Sequence, residues 1–532
     1  MKKLPLGIQN FNEISKGDYI YVDKTQYIYN LICGAKYYFL SRPRRFGKSL
    51  LLDTINEVFG GDRELFKGLW IYDSDYNFIQ YPVIKLDMSN IANETPEVFR
   101  TSLVSELMGR VNGEKLDMQA ELPSDIFKGL IEKLYIKYNK RIVVLIDEYD
   151  KPILDHLYNL DIAEGNRQVL RGFYGILKSM DPFLKFTFIT GVTKFTKTSI
   201  FSGLNNLLDI TLTEEYANIC GVPADSVESY FSEYIDKLSD HKRFQQYSSI
   251  RDEILAWYDG YSWDGETKLL NPFSLLNFFE QKRFAGFWYA SGTPGFLPEM
   301  IKKKPESYTN IKNFEITEHM LDSADIDKLA LEPLLFQTGY LTIKDIQYIY
   351  DEPIYILELP NREVKLAFNL HVLSAMTEND DVQTGQMRLG INRALQTGNP
   401  QKMLDLLRGF FASIPYELHV DLEAYYHSIF YALMSALGFD LDVEVSVSKS
   451  RIDAVLELSD KVYAMEFKYA KCPPNANVEQ KRMLFESTLD GAMDQINGRG
   501  YADKYKAGDK HVYKAAFAFL GRGDIEMRAE KI

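Results

Sequence analysis

Four short apolar runs punctuate the first part of the chain, separated by longer stretches in which apolar residues recur every three or four positions. Tyr37 to Leu40, Val83-Ile84-Lys85-Leu86-Asp87, Ile142-Val143-Val144-Leu145-Ile146 and Phe186-Thr187-Phe188-Ile189-Thr190 have the length and β-branched or aromatic content of buried strands. Their alternation with helical periods predicts an α/β domain, a parallel sheet flanked by helices. After the first run comes the polar turn Ser41-Arg42-Pro43-Arg44-Arg45-Phe46-Gly47-Lys48-Ser49, then Leu50-Leu51-Leu52 in a helical pattern. That order reads strand, loop, helix.

The pattern changes after about residue 213, where aromatic-rich helical segments carry Tyr258, Tyr261, Trp263, Phe278, Phe279 and Trp288. Breaker-rich stretches at Ser291 to Gly295 and Lys302 to Ser307 suggest a further boundary. A helix-like run from Leu329 to Phe336 precedes two strand-like pieces, Gly339 to Ile343 and Ile354 to Leu359, a hairpin after helices that fits a winged helix. Beyond the acidic stretch Glu378-Asn379-Asp380-Asp381, helical periods at Met403 to Phe411 and Leu422 to Leu437 lead into strand-like segments. These are Asp440 to Val447, Ile452 to Leu458 and Val462 to Phe467, with a helix around Leu489 to Asn497. This is a second, separate α/β unit. No internal repeat or low-complexity tract stands out.

The length of 532 residues exceeds the ~250–300 residues at which one hydrophobic core stops growing, so several domains are expected. The apolar share of 46 % and charged share of 26 % exclude a mainly disordered or fibrous chain. A net charge of −14 means that contact with nucleic acid must come from local basic patches. Cys33, Cys220 and Cys472 are scattered and form no CxxC pair, which supports neither a disulfide framework nor a cysteine zinc site. No apolar run approaches the ~18 residues of a membrane span, and the first residues lack the apolar core of a signal peptide. A cytoplasmic protein without a membrane partner is the expectation.

Two constellations carry chemistry. A phosphate loop needs a strand feeding a turn of backbone N–H groups, a lysine for the β- and γ-phosphates and a hydroxyl for Mg²⁺. Gly47-Lys48-Ser49 supplies these after the first run, although Arg42 stands where the leading glycine usually lies. The third run ends in Asp147-Glu148, where Asp147 would hold Mg²⁺ with Ser49 and Glu148 would polarise the attacking water. Arg45, Phe46, Gly47, Lys48, Ser49, Leu50, Asp147 and Thr190 are the expected ATP-binding residues, with Thr193 as the alternative to Thr190 for sensing the γ-phosphate. Arg42, Arg44, Arg45 and Lys48 form a cation cluster in sequence, in which Arg45 can contact nucleotide and Arg44 can face a partner.

The second constellation is Asp453 with Glu466 and Lys468. Positions two apart on a strand share a face, so Glu466 and Lys468 project together while Asp453 opens the neighbouring strand of a hairpin. Two carboxylates hold Mg²⁺, or alternatively Mn²⁺, and a lysine stabilises charge on an attacked phosphate. That is phosphodiester chemistry. Glu423 is a further candidate for the metal or its surroundings, Gln495 and Tyr501 for holding nucleic acid or orienting the lysine, and His427 receives no role.

These strings, together with Tyr21-Val22-Asp23-Lys24-Thr25, Leu145 to Pro152 and Thr190-Gly191-Val192-Thr193-Lys194-Phe195, resemble the AAA-ATPase-like proteins of anaerobic bacteria with a C-terminal PD-(D/E)XK nuclease-superfamily domain. The resemblance covers essentially the whole chain. It implies a P-loop NTPase domain over residues 1–215, a helical lid over 216–300, a winged-helix-like unit over 301–376 and a restriction-endonuclease-like domain over 377–532. It also implies that Asn271-Pro272-Phe273 meets the adenine side, that Arg42 in place of glycine is usual, and that Ile452 replaces the common proline before Asp453.

The expected function is ATP binding and hydrolysis controlling a metal-dependent nuclease, with Glu148, Asp453, Glu466 and Lys468 as catalytic groups. Metal would be held by Ser49 and Asp147 at one site and by Asp453 and Glu466 at the other. Expected partners are ATP and nucleic acid, DNA ahead of RNA, and a homo-oligomer is compatible. The alternative is an ATP-dependent switch or scaffold whose nuclease-like domain only binds nucleic acid or a protein. A P-loop kinase is disfavoured because Glu148 after Asp147 is an ATPase-type base.

Overall fold

The computed structural model describes residues 1–194, 200–201, 204, 206–288, 314–321, 331–376, 381–414, 423–439, 441–447, 450–458, 460–473, 475–498, 510–521 and 523–532. The described residues fall into two compact units, one running to residue 288 and including 314–364, the other from Lys365 to Ile532.

The first unit is built on five parallel strands: β1 (Tyr37–Ser41), β2 (Val83–Asp87), β3 (Ile142–Asp147), β4 (Leu184–Gly191) and β5 (Leu208–Asp209). Their order is β2-β3-β4-β1-β5. Every residue of β3 is buried, which is why its sequence is an unbroken apolar run rather than an alternation. Helices Pro96–Gly113, Pro123–Tyr138 and Leu160–Gly175 cover one face, with Phe99, Leu107, Phe127, Leu130 and Phe173 meeting Ile84, Val144 and Ile146 in a single core. The first of these starts where it does because the Thr95 hydroxyl accepts the Val98 N–H and Pro96 suits the first helical position. Against the other face, Phe59 of the helix Lys48–Gly60 lies 5.4 Å from the Phe186 ring. Parallel strands place the carboxyl ends of β1, β3 and β4 side by side, the edge at which such sheets bind ligands.

Helices Ala224–Ser239, Ile250–Tyr258 and Pro272–Gln281 follow, joined around Phe231, Tyr258, Phe278 and Phe279, with a short ribbon of β6 (Val222–Pro223) and β7 (Leu269–Leu270) beside them. Next come β8 (Phe314–Thr317), helices Glu318–Leu321 and Leu331–Thr338, and the hairpin β9 (Thr342–Ile349) with β10 (Glu352–Glu358), in the sheet order β8-β10-β9. Gly339, at the corner before β9, has φ +91°, and a Cβ there would lie 2.7 Å from that of Pro43. Only glycine permits both that backbone and that approach to the loop after β1.

Near the end of this unit Glu363 is fully buried and accepts the Trp288 N–H at 2.7 Å. Burial pushes its carboxyl up to about 7, against the opposing pull of the Ser274 hydroxyl and the amides of Trp288 and Phe287.

The second unit holds helices Asp381–Thr397, Pro400–Ala412, Glu423–Ala436 and Val478–Gly498 and a mixed sheet. Its strands are β11 (Leu441–Val447), β12 (Ser450–Glu457), β13 (Lys461–Ala470), β14 (His511–Leu520) and β15 (Asp524–Lys531), in that order. β13 and β14 are parallel, and the helix Val478–Gly498 lies between them in sequence; all other pairs are antiparallel. Among the described residues no helix is long and apolar enough to cross a membrane. The breaker-rich stretches at 291–295 and 302–307 and the acidic positions 378–380 lie outside the described residues.

Candidate functional site

Two clusters of polar groups stand at strand ends, one in each unit.

In the first unit the turn between β1 and the helix Lys48–Gly60 closes on Gly47, whose φ of +96° lets the first helical amides face the loop. Lys48 is 3 % exposed, and its ammonium donates to the carbonyl oxygens of Arg42 at 2.9 Å and Pro43 at 3.0 Å. Ser49 and Leu50 occupy the first turn of the helix, half-buried. Phe46 is buried between Tyr261 and Trp263, with ring centroids 5.0 and 5.1 Å away. Arg45 is exposed, has φ +65°, and holds its guanidinium 5.0 Å from the Phe273 ring.

The cation cluster expected from the sequence is split. Arg42 is fully buried, donates to the carbonyls of Ser41 and Thr211 at 2.9 Å each, and lies 4.1 Å from the Trp263 ring. Burial pulls it down to about 10. It replaces the usual leading glycine as a structural tie, not as a phosphate contact. Arg44 stands 4.0 Å from Asp155.

Asp147, Glu148 and Thr190 meet at the ends of β3 and β4. Asp147 is 3 % exposed and accepts the Thr190 hydroxyl at 2.5 Å and the Glu148 N–H at 3.1 Å. Glu148 has φ +51°, a strained backbone for a side chain of its size. Its carboxyl is raised above 4.5 by burial, with Asp150 and Asp147 adding to the rise and Lys48 and Arg44 opposing it. Thr193 is tied elsewhere: its hydroxyl and N–H both donate at 2.6 Å to Asp150, which also accepts the Val192 N–H at 3.0 Å. Asp150, fully buried and raised chiefly by that burial, thus locks the turn after β4 to the turn after β3. Its signal in the sequence was only its place in the Asp147-Glu148-Tyr149-Asp150 string.

Beside the loop is a cavity of about 100 Å³ whose wall includes Val22, Phe46, Gly47, Leu50, Ile219 and Pro272. Pro272 is there because Asn271 caps its helix, accepting the N–H groups of Phe273 and Ser274 at 3.0 and 3.2 Å.

In the second unit, Val462 and Ala464 of β13 pack against the helix Val478–Gly498, while Phe467 faces Phe430 and Phe517 on the opposite side. Glu466 and Lys468 continue the first row by strand alternation. Their register partners on β14 are Ala516 and Ala518, small enough to leave room beside them. Glu466 is fully buried, and the Lys468 ammonium lies 3.3 Å from it and 3.4 Å from Glu423. Burial pulls Lys468 down, but Glu423, Glu466 and Asp453 together outweigh it and hold the ammonium above the ordinary lysine value. Asp453, one step beyond the Ala454–Met465 pair, accepts the Phe467 N–H at 2.8 Å. Glu423, first residue of its helix, accepts the Tyr469 N–H at 3.1 Å.

The structure therefore brings Asp453, Glu466, Lys468 and Glu423 together. Gln495 is half-buried on the helix Val478–Gly498, and Tyr501 lies outside the described residues. The His427 ring stacks on Phe467 at 4.8 Å. Among the described residues no group of three or more His, Cys, Asp or Glu side chains is arranged to hold a metal ion. Two hard carboxylate donors beside a lysine nonetheless fit Mg²⁺ or Mn²⁺, which keep several waters, and do not fit zinc.

Comparison with known proteins gives three findings. Residues 5–201 match the AAA-ATPase-like family, described as predicted AAA-ATPase. Residues 421–528 match the PD-(D/E)XK nuclease superfamily. The chain is also 36 % identical over 530 residues to an Azotobacter chroococcum mcd 1 protein described as an uncharacterized protein in the vnfD 5′ region, covering 97 % of this chain and 96 % of that one.

Proposed function

The chain belongs to the AAA-ATPase-like proteins that carry a C-terminal PD-(D/E)XK nuclease-superfamily domain, and on that basis we propose that it binds and hydrolyses ATP and thereby controls metal-dependent cleavage of nucleic-acid phosphodiesters. The observation that carries this reading is the buried Glu466 carboxylate with the Lys468 ammonium at 3.3 Å and Asp453 on the adjoining strand. A strand end that served only stability would gain nothing from burying such charges.

In this reading residues 1–215 form the ATPase, 216–300 the lid, 301–376 a winged-helix-like unit and 377–532 the nuclease. Lys48 grips the β- and γ-phosphates, the amides after Gly47 cradle them, and Arg45 reaches the nucleotide from the rim. The cavity beside Leu50 and Pro272 receives the base. Glu148 takes the proton of the attacking water, and Thr190 orients Asp147. Ser49 and Asp147 hold Mg²⁺ at this site, and Asp453 and Glu466 hold Mg²⁺ or Mn²⁺ at the other. Bound metal supplies charge neutralisation on the phosphates and, at the second site, an activated water. Lys468 stabilises the charge that develops on the cleaved phosphate, and Glu423 sets the direction of its ammonium. Nucleic acid, DNA ahead of RNA, is the substrate, and the protein acts in the cytoplasm.

The second reading is an ATP-dependent switch or scaffold whose nuclease-like domain only binds nucleic acid or a protein partner. The deciding experiment incubates full-length protein with labelled single- and double-stranded DNA and RNA, with and without ATP and Mg²⁺ or Mn²⁺. Metal-dependent cleavage that changes with ATP and disappears in Asp453→Ala is expected. No cleavage under any condition leaves the binding reading.

A further inference from the structure

Of the string Tyr21-Val22-Asp23-Lys24-Thr25 only Val22, in the cavity wall, has entered the chemistry above, and the structure divides the labour of the rest. Asp23 accepts the Thr25 N–H at 2.8 Å at the start of the helix Thr25–Cys33, and it also accepts the Trp70 N–H at 2.7 Å. Thr25 is fully buried and accepts the Ile71 N–H at 3.0 Å. The Tyr21 hydroxyl lies 3.4 Å from that of Thr54. These contacts build the fold.

Lys24 differs. It is 9 % exposed, and it lines the cavity beside the phosphate loop, whose walls are otherwise almost wholly apolar. Its ammonium donates to the Asn218 carbonyl at 2.7 Å, and an ammonium has three N–H donors. Burial pulls it down to about 8, against Cys220, Asp225 and Asp23, which pull upward. A charged side chain held in an apolar wall is costly unless something polar meets it. Gly47 and Leu50, at the start of the helix whose amides face the loop, are part of the cavity wall. One ligand spanning both places carries phosphates at one end and a flat apolar group bearing hydrogen-bond acceptors at the other.

We propose that Lys24 is the base-reading residue of the nucleotide site, its ammonium donating to a ring nitrogen of the base seated in the cavity while the Asn218 carbonyl holds it in place. This rests on the nucleotide-binding reading of the phosphate loop and adds to it the group that distinguishes a nucleotide from a bare polyphosphate.

The test is calorimetry on the full chain with three kinds of ligand: ATP, inorganic tripolyphosphate, and the 1-deaza, 3-deaza and 7-deaza analogues of ATP, each lacking one ring acceptor. Lys24→Met should weaken ATP by about tenfold or more while leaving tripolyphosphate within about twofold, since only the base contact is lost. In the wild-type protein one deaza analogue should bind about tenfold more weakly than ATP, and in Lys24→Met that analogue and ATP should bind alike. Equal weakening of ATP and tripolyphosphate would make Lys24 a mere brace for the 216–221 loop and overturn the proposal, as would unchanged ATP binding. The analogues on wild-type protein need no variant, so the proposal also fails if all three bind as ATP does. Tripolyphosphate that binds in a Lys48-dependent way alongside such a failure leaves the phosphate loop standing; a wild-type protein that binds neither ATP nor tripolyphosphate removes both readings together.

Discussion

The Thr190 hydroxyl donates to Asp147 at 2.5 Å across the ends of neighbouring parallel strands. The same Asp147 oxygen, Oδ1, also accepts the Glu148 N–H at 3.1 Å, so the bond fixes one oxygen of the carboxylate. Asp150 ties the turn after β4 to the turn after β3, so the two strand ends are linked twice, and the Lys48 charge reaches Glu148 beside them.

Lys48→Ala should weaken ATP binding by about 10- to 100-fold, the worth of charge-assisted hydrogen bonds to phosphate. Isothermal calorimetry on protein with an unchanged circular dichroism spectrum measures it, and an unaltered dissociation constant would remove Lys48 from the phosphates.

Glu148→Gln should keep ATP affinity and slow hydrolysis by about 10²–10⁴-fold, since shape survives and the base does not. The wild-type pH profile carries a second signature. Burial raises the Glu148 carboxyl above its ordinary value of 4.5, and the base works only when deprotonated. The acid limb of kcat/KM should therefore lie above the ordinary glutamate range, with rate rising as pH rises through it. A limb at the ordinary value would show that a solvated carboxylate does the work.

At the second site Asp453→Ala should abolish both metal binding and cleavage, whereas Lys468→Ala should keep the metal and lose about 10²-fold or more in cleavage rate. Calorimetric titration with Mn²⁺ beside a gel assay separates the two. Loss of metal in Lys468→Ala would mean that the ammonium organises the carboxylates and does not act on the phosphate.

Glu363→Gln should alter stability in a pH-dependent way. The folded carboxyl, at about 7, keeps its proton where the unfolded chain, near 4.5, has lost it. This contribution is complete below the unfolded value and disappears as pH rises through the folded one. The amide cannot ionise, so the variant should be more stable than wild type at pH 8, by up to about 3 kcal/mol, and similar at pH 5. Urea unfolding followed by tryptophan fluorescence checks it, and coincident midpoints at pH 8 would rule out a buried protonated carboxyl.

Local pattern made much of this legible. The runs at Tyr37, Val83, Ile142 and Phe186 became β1 to β4 because a parallel sheet covered on both faces writes itself as uninterrupted apolar residues. Period-two alternation likewise placed Glu466 and Lys468 on one face. What stayed hidden depends on distant packing: Arg42 looks like a phosphate ligand until Trp263 and Thr211 are seen to enclose it. Glu423 reaches Lys468 only through the docking of its helix, and β14 and β15 go beyond the strand-like segments read from the pattern, although Ala515 to Leu520 is an apolar run. Of the 12 Lys and Arg against 10 Asp and Glu from residue 466 onward, several are already engaged, with Lys481 on Asp524, Lys510 on Glu457 and Arg528 on Glu486 and Asp490. A count of charge along the chain overstates what a phosphate backbone would meet.

The close approach of Gly339 to Pro43 sets the corner before β9 against the loop after β1. Pro43 also lends its carbonyl to Lys48, so a lysine that turned toward a phosphate would release the residue on which the β9 corner rests. How long a spent nucleotide stays would then depend less on its own contacts than on how readily a three-stranded sheet gives way, and a substitution far from any phosphate could set the pace of the whole cycle.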